Sequence, residues 1–340
     1  MIVCIIYKLL DLVKKATVLK KIINYSINSC QKTKKILRNT LLFVLFMPAY
    51  VASAEALKLD NEVWVFLGTG YTVDTENKGR IANVGFIETS QSGVIINTGI
   101  SHNHAKQILR QVNDISNKKT LEAIVLQGDR KFALGASSLN RSGVATYAHP
   151  KTVIQMNERC ITCIRYLEES LGNEMHQTQV DTPRNIAQMK FLPHLPLKDI
   201  VIINHGDTVS KGALMIYHAP SGILFSGDVV FSGIVPSVKD ANFGAWKESL
   251  KLLRGLPISS IIPGIGPILK KAAIDDSLSY LEALDISTTN LYSSNQDLLS
   301  ATQNGGLTQF SEWGLYSEHH SNNVMYRYLQ IEQNQLELEK

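Results

Sequence analysis

Cys160 and Cys163, three residues apart in Arg159-Cys160-Ile161-Thr162-Cys163, have side chains that could work as a thiol–disulfide pair. Thiol oxidoreductases place the reactive cysteine at a helix N-terminus, where the dipole stabilises thiolate. Here the pair follows Gln155-Met156-Asn157-Glu158 and falls inside a helix, which favours a structural disulfide or a packed thiol pair. A four-cysteine zinc centre would need a second pair, and the other two cysteines, Cys4 and Cys30, lie in the N-terminal segment. His102-Asn103-His104 has the spacing of a ligand pair, but it precedes a helix, where polar residues commonly serve the free N–H groups. His149 and His218 stand at strand ends and His205 lies four residues before Val209, and each alone reads as a surface or hydrogen-bonded histidine. Lys270-Lys271 is too small a patch to dock an acidic partner and reads as a solvated surface.

The elements that must position these groups alternate along the chain. Val63–Leu67, the hairpin pair 83–87 and 93–97, Leu121–Leu126 and Gly143–Ala148 have the composition of strands. Helical spacing covers His104–Val112 and about Ile154–Leu171, which Gly172 terminates. The second half repeats the rhythm, with strands at Ile200–Asn204, Gly212–Tyr217, Gly222–Phe225 and Ser260–Ile262. Helices follow at Gly244–Leu253 and around Leu278–Leu284, and a helical tail runs from about Tyr316 to Leu338. Two similar halves of this kind predict an α/β fold, a four-layer αββα sandwich.

The net charge of +4 misleads. Residues 1–54 hold nine basic side chains against one acid, Asp11, which leaves 25 basic and 29 acidic residues in the remainder. A nucleic-acid partner is therefore not expected. Lys34, Lys35 and Arg38 precede the apolar run Leu41–Met47, and Ala52-Ser53-Ala54 has the small-x-small pattern of a signal-peptide cleavage site. The run falls short of the roughly 20 apolar residues of a membrane span. The expectation is an exported, periplasmic or secreted protein beginning at Glu55 and lacking a stable membrane span. Its segments would be a signal peptide with an extended N-region (1–54), a principal domain (55–290) and a mostly helical C-terminal extension (291–340).

Three ordered segments, preceded by Asn97-Thr98-Gly99, carry a family resemblance. They are strand 121–126 with the loop Gln127-Gly128-Asp129-Arg130-Lys131-Phe132, Gly206-Asp207-Thr208-Val209 leading to Ser226-Gly227-Asp228, and Pro263-Gly264-Ile265-Gly266. Together they resemble the metallo-β-lactamase superfamily over roughly residues 62–270. Within it, Asn83–Phe86, Arg159–Cys163, Ile234–Ser237, Trp246 and His319–Asn323 are most similar to the quinoprotein relay system zinc metallohydrolases. The resemblance implies the metallo-β-lactamase fold, export and an association with quinoprotein dehydrogenases. Zinc is the cofactor of the parent superfamily, where it lowers the pKa of a bound water to about 7.

Carried over residue by residue, the zinc-ligand positions fall on Gln127, Asp129, Lys131, Phe132, Val209, Asp228 and Ile265. Only Asp228 keeps the family's ligand type, so the site reads as dismantled and no cofactor is expected. A displaced single-metal site could use Asp129, His205 and Asp228, if any does. Asp228 still requires a counter-charge if buried, and Lys131, or Arg130 in its place, is expected to supply it. The reading is of an inactive, hydrolase-like pseudoenzyme, with catalytic residues unassigned. It would bind a small molecule or a periplasmic quinoprotein dehydrogenase system in the cleft between the halves. The alternatives are a metallohydrolase with the altered single-metal site and a thiol–disulfide protein using Cys160 and Cys163.

Overall fold

Val63–Phe66 is buried at every position, as expected of a strand covered on both faces. It is β2 of a seven-stranded sheet, in a computed structural model that describes residues 55–90, 92–118, 121–185 and 199–338. The expected signal segment 1–54, with Cys4 and Cys30, lies outside the described residues. The sheet runs in chain order through β1 (Leu57–Lys58), β2, β3 (Val84–Glu88), β4 (Gly93–Ile96), β5 (Leu121–Val125), β6 (Ala145–Ala148) and β7 (Arg184–Asn185). Strands β1 to β4 pair antiparallel and β4 to β7 parallel. A second sheet has the order β11 (Ser260–Pro263), β10 (Ile223–Gly227), β9 (Met215–His218), β8 (Ile200–Ile203).

The inner faces of the sheets meet in one apolar cluster, with Val65, Ile96 and Ile124 from one side and Ile216, Phe225 and Ile262 from the other. Against the outer face of the first sheet lies α1 (His102–Ile115), through Ala105, Ile108 and Val112. Against the outer face of the second lie α5 (Phe243–Leu253), α6 (Ala273–Ser293) and α8 (Tyr316–Leu338), sharing a core with Met215, Tyr217 and Leu224. These are the four layers of an αββα sandwich. The segment 291–340 also holds α7 (Leu298–Asn304), and its Leu307, Phe310 and Val324 enter the core around Trp246 and Leu281. Residues Ala54–Lys340 accordingly form one compact unit.

Several boundaries differ from the sequence expectation, two of them by three or four residues at an element's start and for visible local reasons. Helix α4 (Pro150–Leu171) starts four residues early, because Pro150 occupies its first turn and the His149 ring accepts from the Lys151 N–H at 3.2 Å. Strand β9 starts at Met215 rather than Gly212. The Gly212 N–H is taken by Asp207 Oδ1 at 3.0 Å and the Leu214 N–H by the Leu126 carbonyl at 2.9 Å.

His102 and His104 open α1 as helix-start groups, with Ser101 Oγ accepting from the His104 N–H at 3.0 Å. His104 is buried, and its Nδ1 accepts from the Ile100 N–H at 3.4 Å. Burial first, and then the Arg80 charge, pushes its pKa down to about 3 from 6.5. The unfolded chain binds a proton below pH 6.5 that the folded chain refuses until about pH 3, so stability falls as pH drops through that window. The loss from this residue reaches up to ~1.4 kcal/mol per pH unit. Urea midpoints across the window should decline less steeply for His104→Gln than for the native chain.

Candidate functional site

The connection between β5 and β6 contains two short helices, α2 (Arg130–Ala133) and α3 (Ala136–Arg141). Asp129 caps α2, its Oδ1 accepting from the Lys131 N–H at 3.0 Å. That turn aims the Lys131 side chain across to the end of β10, where Gly227 at φ 53° sets Asp228 facing it. The Lys131 ammonium donates to Asp228 Oδ2 at 2.7 Å, lies 3.0 Å from Asp129 Oδ2, and sits 4.4 Å from the Phe132 ring centroid. The pairing expected between Lys131 and Asp228 is therefore present. Arg130 is not the partner, since its guanidinium stacks 5.1 Å from the Tyr166 ring centroid.

Two further features close around Asp228. The Gln127 amide, in the orientation that satisfies both its ends, donates to Asp228 Oδ2 at 3.2 Å and accepts from the Asp228 N–H at 3.3 Å. A Cβ at Gly264 would lie 2.1 Å from Asp228 Oδ1, so only glycine fits beside the carboxylate. Burial opposes charge on Lys131, but the two carboxylates outweigh it and hold the ammonium above its usual pKa. Burial likewise raises Asp129, yet Lys131 and its N–H hold that carboxyl below its usual value. For Asp228, burial prevails over Lys131, with help from the Asp129 charge, and raises the pKa.

This cluster forms the floor of a cavity of about 660 Å³. Gln127, Asp129, Lys131, Val209, Asp228 and Ile265 line it, and Phe132 is buried beneath. All seven positions taken from the family pattern thus converge. They do not fit a zinc ion. Phe132, Val209 and Ile265 present hydrocarbon, and Lys131 places a cation against the two carboxylates. The displaced set of Asp129, His205 and Asp228 is not assembled either. The His205 ring bonds Ser249 Oγ of α5 at 2.8 Å, and His205 is not among the residues lining the cavity. Among the described residues no three His, Cys, Asp or Glu side chains come together as a metal-binding group.

One wall was not foreseen from the sequence. Gln155, Arg159, Cys163 and Tyr166 line the cavity at positions i, i+4, i+8 and i+11 of α4, a single helical face. Such a polar stripe looks like an ordinary solvated face until the loop 127–135 is folded over it. Of the two arrangements open to Cys160 and Cys163, a disulfide or a packed thiol pair, the structure has two free thiols. Cys160 is buried and Cys163 half-buried. The opposite wall, Ile234–Pro236, is held from the C-terminal helix. The His319 ring meets the Val235 carbonyl at 2.8 Å, and Asn323 Nδ2 donates to the Pro236 carbonyl at 2.7 Å while its Oδ1 accepts from the Val238 N–H at 3.1 Å.

Lys131→Ala leaves the two carboxylates facing each other without a cation. It should cost about 2 kcal/mol, below the ~3–5 kcal/mol of a fully enclosed pair, because both carboxylates reach the cavity. Lys131→Ala combined with Asp228→Asn should recover a substantial part of that loss in chemical denaturation. Because its folded pKa is raised, Lys131 contributes fully below pH 10.5 and loses its contribution as pH rises through the folded value. Lys131→Met should therefore show a smaller loss of stability on the alkaline side than the native chain does.

No protein-family model matches the chain, and no curated protein matches it in sequence. Solved structures do match in shape. A metallo-β-lactamase from Hirschia baltica superposes with a TM-score of 0.53 at 20% identity, covering 67% of this chain and 97% of its own. One from Erythrobacter litoralis gives 0.50 at 18%, covering 67% and 95%. The FIM-1 enzyme from Pseudomonas aeruginosa, in its mono-zinc form, gives 0.50 at 17%, covering 67% and 94%. The order of the strands, the two sheets packed between helices and these superpositions together establish that the chain has the metallo-β-lactamase fold.

Proposed function

We propose that this protein is an exported, non-catalytic relative of the metallohydrolases, whose cavity binds an organic ligand or a partner. The observation that carries this reading is the Lys131 ammonium, 2.7 Å from Asp228 and 3.0 Å from Asp129. A side-chain cation there neutralises the carboxylates but offers no open coordination position, so it cannot generate a hydroxide as a zinc ion does. The cavity above it combines the aromatic rings of Tyr71, Tyr166 and Phe231 with the charges of Arg130 and Lys239. A ligand with an apolar body and an acidic group fits that lining.

Export is supported by the basic and apolar run ending at Ala54. Among the described residues no helix is long and apolar enough to cross a membrane. The context we favour is a quinoprotein dehydrogenase or electron-transfer system in the periplasm. Its support is the resemblance of Asn83–Phe86, Arg159–Cys163, Ile234–Ser237, Trp246 and His319–Asn323 to the quinoprotein relay metallohydrolases.

The deciding measurement is metal content of protein purified without chelators or a histidine tag. Substoichiometric zinc and iron, no turnover of a β-lactam, and a melting temperature unmoved by added zinc are the expected results. Near-stoichiometric metal in the folded protein would overturn the reading.

A further inference from the structure

The thiol pair of α4 is placed where it can react. Cys163 lines the cavity beside Arg130 and Arg159, and Cys160 lies one turn earlier, 1% exposed, behind it. Arg159 is tied to Asp240 at 3.0 Å, whereas Arg130 stacks on Tyr166 and keeps its charge toward the cavity. Gln155, on the same helical face, is 4% exposed, and its Nε2 has no hydrogen-bond partner. A buried amide donor left without a partner costs roughly 1–3 kcal/mol, and a carbonyl or carboxylate entering the cavity would relieve that cost. Ser210 Oγ, also lining the cavity, is likewise unpartnered. Neither group has a part in the Lys131 cluster, so together they mark a second subsite along α4.

We propose that Cys160 and Cys163 are a redox-active dithiol that exchanges with small acidic disulfides in this cavity, Cys163 attacking and Cys160 resolving, with Arg130 and Gln155 Nε2 receiving the acidic or carbonyl groups. In the first step the Cys163 thiolate attacks one sulfur of the disulfide. A bond forms between Cys163 Sγ and that sulfur, and the other half leaves as a thiolate that takes a proton from water. In the second step Cys160 gives up its proton and attacks Cys163 Sγ, and the remaining half departs as a thiol. One disulfide is reduced to two thiols and one Cys160–Cys163 disulfide forms, so electrons balance without any further reactant.

The division of roles follows from the surroundings. The hydrogen bond from Cys160 holds Cys163 below its ordinary pKa, near 7. Arg130 and Arg159 add to that effect, against burial and Asp129. The same hydrogen bond and burial push Cys160 up, which suits a thiol that reacts second. Helix geometry sets Cβ atoms three residues apart at about 5–6 Å, whereas a disulfide draws them to about 3.8 Å. Closing the bond therefore strains α4. A strained disulfide is readily reduced, which fits exchange better than a permanent staple. The reaction depends on the cavity wall and is indifferent to whether the floor holds a metal.

The test uses the full chain carrying Cys4→Ser and Cys30→Ser, so that only the helix pair reports, with glutathione disulfide as probe. The expected result is joint loss of both thiols to a Cys160–Cys163 disulfide, located by peptide mapping and reversed by excess glutathione. Cys160→Ser should stop at a mixed disulfide on Cys163, and Cys163→Ser should leave Cys160 unmodified in the folded protein. Arg130→Gln should slow reaction with glutathione disulfide about three- to tenfold while leaving reaction with the cationic disulfide cystamine unchanged or faster. If Cys160→Ser does not fold, Cys160→Ala takes its place, and peptide mapping of the parent chain alone remains decisive. A Cys163 that reacts no faster than glutathione itself, or a mixed disulfide that persists with Cys160 present, would overturn the proposal.

Discussion

An ammonium held between two carboxylates sets the geometry of this protein's centre. Lys131 reaches Asp228 only because Asp129 caps a four-residue helix that turns the lysine inward, and only because Gly227 and Gly264 leave room on the far side. Each part constrains the others. Remove the cap and the lysine loses its direction; put a side chain at position 264 and the carboxylate is displaced. The positive charge between these strands comes from the chain's own lysine.

The surrounding fold follows from how completely the sheets are covered. Strands β2 and β4 are buried at every residue, which requires layers on both sides, and the helices supply the outer ones. The aromatic group of Phe231, Trp246, Tyr280, Phe310 and Trp313 packs with centroid spacings of 4.8 to 6.3 Å, edge to face except where Tyr280 stacks on Trp313. It joins the loop after β10 to three separate helical segments, so the cavity wall and the C-terminal region are one packed body.

Much of this was legible in the residues. The hairpin of β3 and β4 showed in two short runs rich in Val, Ile and Phe, and α8 in its helical character from Tyr316 to Leu338. The convergence of Gln127, Asp129, Lys131, Val209, Asp228 and Ile265 was legible through the family pattern, and the Lys131–Asp228 pair through the cost of a buried lone carboxylate. Helix α2 was not, because four residues carry no periodicity and Asp129-Arg130-Lys131 looks like polar loop. Nor was the destination of His205, whose ring faces Ser249, forty-four residues further along the chain. The chemistry of Cys163 stayed hidden for the same reason: Arg130 comes near it through tertiary folding, from a different segment of the chain.

Asn323 spans this distance in the other direction. Its carboxamide fastens both the Pro236 carbonyl and the Val238 N–H, eighty-seven and eighty-five residues upstream. The loop it grips belongs to the cavity, while Asn323 itself belongs to a helix on the outer layer. One carboxamide therefore fixes the spacing between an outer-layer helix and the backbone of the cavity loop, with no sheet between them.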